Sequence, residues 1–267
     1  MAGDFAGKVV VVTGGGRGIG RAIAEAFAAQ GAHVVIGVRT PIYGDEALAA
    51  IRAAGGTASM VEGDIADQAA CEALVAAALE RHGRLDIVVH SAADIPHGGI
   101  DASDEAIRRG FDSIVMAAFW LTRAARQHLA KSGEGRMVFI GSICGPTTMV
   151  MGRMAYGVCK SGLDAFVRGA ALELAKEGIT VNAIEPGAIA SARPIAAVGL
   201  ETMQQIGARS PVGRVGTPEE IAHATLFLAS PGSGFITGTS LIVDGGSTIS
   251  NSDTVLKLAD HQKRPAT

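Results

Sequence analysis

A tyrosine and a lysine four positions apart, Tyr156 and Lys160 in the run Ala155-Tyr156-Gly157-Val158-Cys159-Lys160-Ser161, carry the most pointed chemistry in this chain. On a helix that spacing puts both side chains on one face. An ammonium beside a phenol favours phenolate and lowers the tyrosine pKa from its reference of ~10 towards working pH. Such a phenol gives a proton to a nascent alkoxide, or takes one from an alcohol, near neutrality. Upstream, an apolar run at 137–140 ends in Gly141-Ser142. That puts the Ser142 hydroxyl at the carboxyl end of a strand, where doubly wound sheets bind ligands and where it can hydrogen-bond a carbonyl oxygen as charge develops.

A second constellation lies at the start of the chain. The apolar run 9–12 leads into Thr13-Gly14-Gly15-Gly16-Arg17-Gly18-Ile19-Gly20, and Arg21-Ala22-Ile23 opens an amphipathic stretch. Glycines admit positive φ and remove Cβ atoms where a pyrophosphate must touch the backbone, and the helix that follows offers free N–H groups. Gly14, Gly16, Arg17, Gly18, Ile19 and Gly20 are the expected contacts. The next strand ends Gly37-Val38-Arg39-Thr40, with a cation where an acid would hold adenosine ribose hydroxyls. Arg17 and Arg39 could close on a 2′-phosphate as a charge-assisted pair, so NADP(H) is expected over NAD(H).

The elements that must position these residues follow from patterning. Strand-like runs at 9–12, 34–38, 87–89, 137–140, 180–184 and 241–243 alternate with amphipathic stretches at 21–30, 67–82, 114–131 and 161–177. Strands apolar throughout are buried on both faces, which means a parallel sheet covered by helices. The expected fold is α/β, a doubly wound parallel sheet of Rossmann type in a single domain over 1–250, followed by a polar tail over 251–267 that serves as surface or subunit contact.

Composition narrows the partners. The 267 residues include 23 Lys+Arg and 26 Asp+Glu, for a net charge of −3, with 4% aromatics. Such a chain has no bulk attraction for nucleic acid or anionic lipid and few base-stacking platforms. Mean hydropathy is +0.31, yet no stretch is long and apolar enough to span a bilayer, and the start is not a signal peptide. The three cysteines, Cys71, Cys144 and Cys159, are scattered. They suggest neither a disulfide framework nor a metal site, and a reducing cytoplasm is expected. The 36 glycines are about twice the usual ~7%.

With these residues placed, the chain from Gly7 to Gly246 resembles the short-chain dehydrogenase/reductase family. Thr13–Gly20 is similar to its cofactor turn, Tyr156/Lys160 to its YxxxK pair, and Asn182-Ala183-Ile184-Glu185-Pro186-Gly187 to its NxxxPG segment. Ile236-Thr237-Gly238 and Val243-Asp244-Gly245-Gly246 resemble its closing strand. The resemblance implies that Ser142 steadies the carbonyl, that Tyr156 is the acid/base, and that Lys160 tunes Tyr156 and binds the nicotinamide ribose. It further implies that Asp64-Ile65 flanks the adenine, that Ala92 and the Pro186-Gly187 turn contact the cofactor through main chain, and that Ile189 anchors the carboxamide beside Ser191. A homotetramer packed through two long helices is also implied.

Four positions depart from the pattern. His90-Ser91-Ala92-Ala93 stands where NNAG is usual, Ile114 where a catalytic asparagine is usual, and Ser191 where threonine is usual; Ser142 and Tyr156 are one residue further apart than is common. Isoleucine has no polar group with which to hold a proton-relaying water. Hydride transfer needs the cofactor, Tyr156 and Ser142, so turnover is expected to persist with slower proton resupply. Ile114→Asn should then leave activity similar or raise it. The loops at 143–154 and 192–209 are expected to supply Met149, Val150, Met151, Met154, Ile195, Val198, Leu200 and Met203 to an apolar pocket suited to a hydrophobic or cyclic ketone. Arg153 and Arg193 flank it, and Asp94 and His97 could line its entrance. Two other readings stand beside the reductase: a dinucleotide-binding protein with weak or no turnover, and an acyl-carrier ketoreductase using Arg123, Arg126, Lys131 and Arg168 as a carrier patch.

Overall fold

In the computed structural model the described residues are 4–192, 195–196 and 199–249. The 251–267 tail, Arg193 and Val198 therefore lie outside them. Seven strands form one parallel sheet: β1 (Val9–Thr13), β2 (His33–Val38), β3 (Thr57–Glu62), β4 (Ile87–His90), β5 (Gly135–Ile140), β6 (Ile179–Pro186) and β7 (Ser240–Val243). Their spatial order is β3-β2-β1-β4-β5-β6-β7. Sequence runs outward one way from β1 and the other way from β4, so the two halves part between them, and a crevice opens at their carboxyl ends.

Side chains alternate across this sheet into two cores. Val10, Val12 and Ile36 point to one face and pack with Phe27, Leu48 and Ile221 from α1 (Gly18–Ala29), α2 (Pro41–Ala53) and α8 (Pro218–Ala229). Val9, Val11 and Val35 point to the other and pack with Leu74, Leu121 and Leu163 from α3 (Gln68–His82), α5 (Ala117–Ser132) and α6 (Met154–Leu174). Two shorter helices, α4 (Asp104–Phe111) and α7 (Leu200–Ala208), flank the crevice. Burying each strand on both faces explains why no alternation is visible in the apolar runs of β1, β4 and β5.

Several elements differ from the sequence reading. The strand β3 was not expected; its TASMVE alternates weakly and is only part-buried because it is a sheet edge. The helix expected over 114–131 is interrupted at its start by a π-helical turn, Asp112–Met116, in which the Ala117 N–H reaches back to the Asp112 carbonyl. The helix expected from 161 begins a full two turns earlier, at Met154. Tyr156 and Lys160 thereby sit in its first turns, at the mouth of the crevice.

Candidate active site

A cleft of about 610 Å³ runs across the carboxyl edge of the sheet. The loop after β1 forms its floor at one end. Gly14 has φ +69°, and a Cβ on Gly20 would lie 2.3 Å from the Gly14 carbonyl oxygen, so the turn closes against its own helix only without side chains. The N-cap of α1 is Arg17, which makes no side-chain capping bond. The first-turn N–H groups thus keep their donor capacity for an anion. Both features fit a dinucleotide pyrophosphate.

Thr13 fixes how this turn meets the segment after β4. Its Oγ1 accepts the Ser91 and Ala92 N–H groups at 3.0 Å each. It also lies 2.9 Å from Nδ1 of His90. With its oxygen already accepting twice, the Thr13 hydroxyl donates to Nδ1, which places the imidazole proton on Nε2. Burial, reinforced by the Lys160 charge, pushes the His90 ring down to about 3, so it stays neutral at working pH. Nε2 has no partner in hydrogen-bonding geometry, although the Ser113 and Ile114 main chain faces the ring from the π-helical turn. The HSAA segment thus keeps a main-chain scaffold through Thr13. Sequence reasoning missed this role of Thr13 and His90, although a threonine ending β1 opposite the end of β4 was visible.

Ser142, Tyr156 and Lys160 all line the cleft. Ser142 lies two residues beyond the end of β5, and its Oγ accepts the Cys144 N–H at 3.1 Å. The longer loop between Ser142 and Tyr156 folds back on α6: a Cβ on Gly145 would fall 2.3 Å from the Gly157 carbonyl oxygen, and Gly145 has φ +123°. Lys160 is 4% exposed. Its Nζ donates to the Ile140 carbonyl at 2.7 Å and lies 5.8 Å from the centre of the Tyr156 ring. Burial pulls the Lys160 ammonium down to about 8.

Ile114 is fully buried in the core beneath α5 and α6, so the π-helical turn presents no polar side chain at that position. Pro186, Gly187, Ile189 and Ser191 line the far end of the cleft. Asn182 holds their strand in place, donating to the Ile236 carbonyl at 2.8 Å and accepting from the Thr239 N–H at 3.2 Å. Gly216 clamps both sides of Ile189, accepting from the Ala190 N–H at 2.8 Å and donating to the Ala188 carbonyl at 2.9 Å.

At the opposite end lie Arg17, Arg39, Asp64, Ile65 and Ala92. Each of the two arginines has a partner of its own. Arg17 stacks over the Tyr43 ring, 5.0 Å from its centre, and Arg39 Nη1 binds both Asp94 carboxylate oxygens at 2.9 and 2.8 Å. Burial works against ionisation of Asp64, but bonds from Arg109 and the Ala66 N–H outweigh it and hold the carboxyl below its ordinary value. Asp94, His97 and Arg153 line the cleft as expected.

The apolar pocket differs from expectation. Val150 and Met203 line it, joined by Ile95, Ile143 and Ile206. Met151 is fully exposed and Met149 lies over Gly157 of α6, whereas Ile143, Val150 and Arg153 of the same loop line the cleft. Two of the four cations of the proposed carrier patch are paired with acids: Arg126 Nε binds Glu177 at 2.9 Å and Arg168 pairs with Asp164, while Arg123 keeps its charge and stacks on Phe119. The three cysteines are buried and unpaired. No group of residues suited to a metal ion occurs among the described residues, and no helix among them is long and apolar enough to cross a membrane.

Comparison with known proteins places this geometry. The family model described as Enoyl-(Acyl carrier protein) reductase matches residues 14–248. The chain is 38% identical over 253 residues to 2,5-dichloro-2,5-cyclohexadiene-1,4-diol dehydrogenase LinX of Sphingobium indicum, covering 92% of this chain and 98% of that one. It is 34% identical over 253 residues to glucose 1-dehydrogenase 2 of Bacillus subtilis, covering 92% and 96%. Among solved structures, a 7α-hydroxysteroid dehydrogenase complexed with NADH and 7-oxo glycochenodeoxycholic acid matches with a TM-score of 0.86 at 30% identity, covering 91% of this chain and 94% of that one.

Proposed function

The chain belongs to the short-chain dehydrogenase/reductase family of oxidoreductases, and from that premise we propose that it moves a hydride between NADP(H) and the carbonyl or secondary alcohol of a hydrophobic, cyclic substrate. The observation that carries the reading is the meeting of Ser142, Tyr156 and Lys160 in the same cleft as the glycine turn. The bound nicotinamide supplies the hydride that adds to the carbonyl carbon. Ser142 Oγ and the Tyr156 hydroxyl donate to the carbonyl oxygen, and Tyr156 transfers its proton there as negative charge develops. The Lys160 ammonium stabilises the phenolate left behind. In the oxidative direction the same groups act in reverse.

The remaining assignments follow position in the cleft. Gly14, Gly16, Gly18, Ile19 and Gly20 receive the pyrophosphate. Asp64 and Ile65 flank the adenine, and Ala92 contacts the cofactor through main chain. Lys160 holds the nicotinamide ribose; Pro186, Gly187, Ile189 and Ser191 hold the carboxamide. Arg39 and Arg17 take the 2′-phosphate, supported by the absence of a carboxylate at the end of β2. The apolar lining from Ile95, Ile143, Val150, Met203 and Ile206 supports a hydrophobic substrate. Two relatives whose names specify ring substrates, a cyclohexadiene diol and an oxo bile acid, support a cyclic one.

A homotetramer is supported by exposed apolar side chains on the outer helices, Phe119 on α5 and Val158 and Leu172 on α6. Placement in the cytoplasm rests on the buried free thiols. The test is a ketone and alcohol panel assayed with both cofactors. Turnover on hydrophobic cyclic ketones with kcat/KM at least tenfold higher for NADPH is expected; equal or better efficiency with NADH would overturn the cofactor assignment.

A second reading, a dinucleotide-binding protein of weak turnover, is favoured by one observation: Ile114 buries an apolar side chain where the family's asparagine stands. Cofactor binding without turnover across the whole panel would favour it.

A further inference from the structure

Four charged side chains form a chain of alternating sign along the adenosine end of the cleft. They come from separate elements: Arg39 from the end of β2, Asp64 after β3, Asp94 after β4 and Arg109 from α4. Arg39 Nη1 donates to both Asp94 oxygens at 2.9 and 2.8 Å. Arg109 Nε donates to Asp94 Oδ2 at 2.8 Å, and its Nη2 binds Asp64. The Asp94 main chain is fastened too, its N–H donating to Ser113 Oγ at 2.9 Å.

The two ends of the Arg39–Asp94 pair are not equally free. The Asp94 side chain is 23% exposed and the Arg39 side chain 52%. Asp94 is held from a second side by Arg109, whereas Asp94 carries the only ion pair that Arg39 makes among the described residues. Asp94 is thus the more firmly held of the two. Both residues line the cleft.

We propose that Asp94 is a specificity-determining residue, an intrachain competitor that occupies the guanidinium meant for the cofactor 2′-phosphate. The inference rests on the NADP(H) reading above. Asp94 holds Arg39 through Nη1 alone, so a 2′-phosphomonoester competes with this carboxylate for that nitrogen and for the orientation of the guanidinium. NAD(H), which has no phosphate there, leaves the pair intact. Asp94 therefore reduces the margin by which Arg39 favours the phosphorylated cofactor, and removing its charge widens that margin. Asn keeps the shape and can still accept from Arg109, so Asp94→Asn removes the competing charge with little change of packing.

The experiment is fluorescence titration of NADPH and NADH into the wild type, Asp94→Asn, Arg39→Ala and the double variant. Asp94→Asn is expected to tighten NADPH binding by about three- to fivefold, the scale of a partly exposed ion pair, and to change NADH binding by less than twofold. In the Arg39→Ala background that gain is expected to vanish, which separates competition for Arg39 from a general rise in positive potential. An unchanged or weakened NADPH affinity in Asp94→Asn, or an equal gain for both cofactors, overturns the proposal. If Arg39→Ala weakens NADPH while Asp94→Asn leaves it unchanged, the NADP(H) reading stands and the competition is disproved. If Arg39→Ala leaves NADPH binding intact, both fall.

Discussion

Lys160 reaches from the second turn of α6 to the Ile140 carbonyl at 2.7 Å, and its Nζ lies 5.8 Å from the centre of the Tyr156 ring. A buried cation with one carbonyl acceptor is costly to keep charged, and burial brings the ammonium down to about 8. The same cation is what steadies a phenolate. The Lys160 ammonium therefore titrates within reach of ordinary working pH rather than far from it.

That position sets a pH dependence. Below about 8 Lys160 is charged, and above it neutral, so reductive kcat/KM is expected to fall as pH rises through that value. Lys160→Met is expected to lower kcat/KM by ~10²-fold and to abolish that limb of the profile. A stability effect accompanies it. The folded value lies below the ordinary 10.5, so between these two pH values the unfolded chain binds more protons and wild-type stability rises with pH. Measured by urea denaturation, the stability of wild type relative to Lys160→Met should improve by about 3 kcal/mol from pH 7 to pH 10.5.

Ile114→Asn tests the π-helical turn. Because Ile114 is fully buried among apolar neighbours, the amide is expected to destabilise the fold by about 1–3 kcal/mol in urea titration. Activity of the folded variant should match or exceed the wild type. A folded variant without activity would contradict the view that Tyr156 and Ser142 suffice for the chemistry.

Gly20→Ala tests the phosphate turn. The added methyl would meet the Gly14 carbonyl oxygen at 2.3 Å, so the turn must open and the N–H groups lose their aim. Affinity for both NADPH and NADH should drop by more than tenfold (~1.4 kcal/mol or more), read by fluorescence titration. Unchanged affinity would place the pyrophosphate elsewhere.

What the sequence makes legible depends on how local the cause is. The strands β1, β4, β5 and β6 are buried along their whole length, and the apolar runs within β1, β4 and β5 are the pattern that burial on both faces imposes directly. Tyr156 and Lys160 are spaced by one helical turn, and the glycine turn is a contiguous string. The edge strand β3 and the polar helix α4 lack such a pattern, since α4 buries only Gly110. The partner of Arg39 was equally hidden: Asp94 lies 55 residues away, and only the parallel register of β2, β1 and β4 brings the two strand ends together. The fate of the 143–154 loop depended on Gly145 meeting Gly157, a contact between backbones that residue types do not announce.

The most direct measurement is single-turnover reduction by Tyr156→Phe, with cofactor affinity determined in parallel. Removal of one hydroxyl from a cleft otherwise intact is expected to slow hydride transfer at least 10²-fold while NADPH affinity stays within about threefold, well under one decade. A variant that binds cofactor normally and turns over at the wild-type rate would contradict the assignment of Tyr156 as the proton donor.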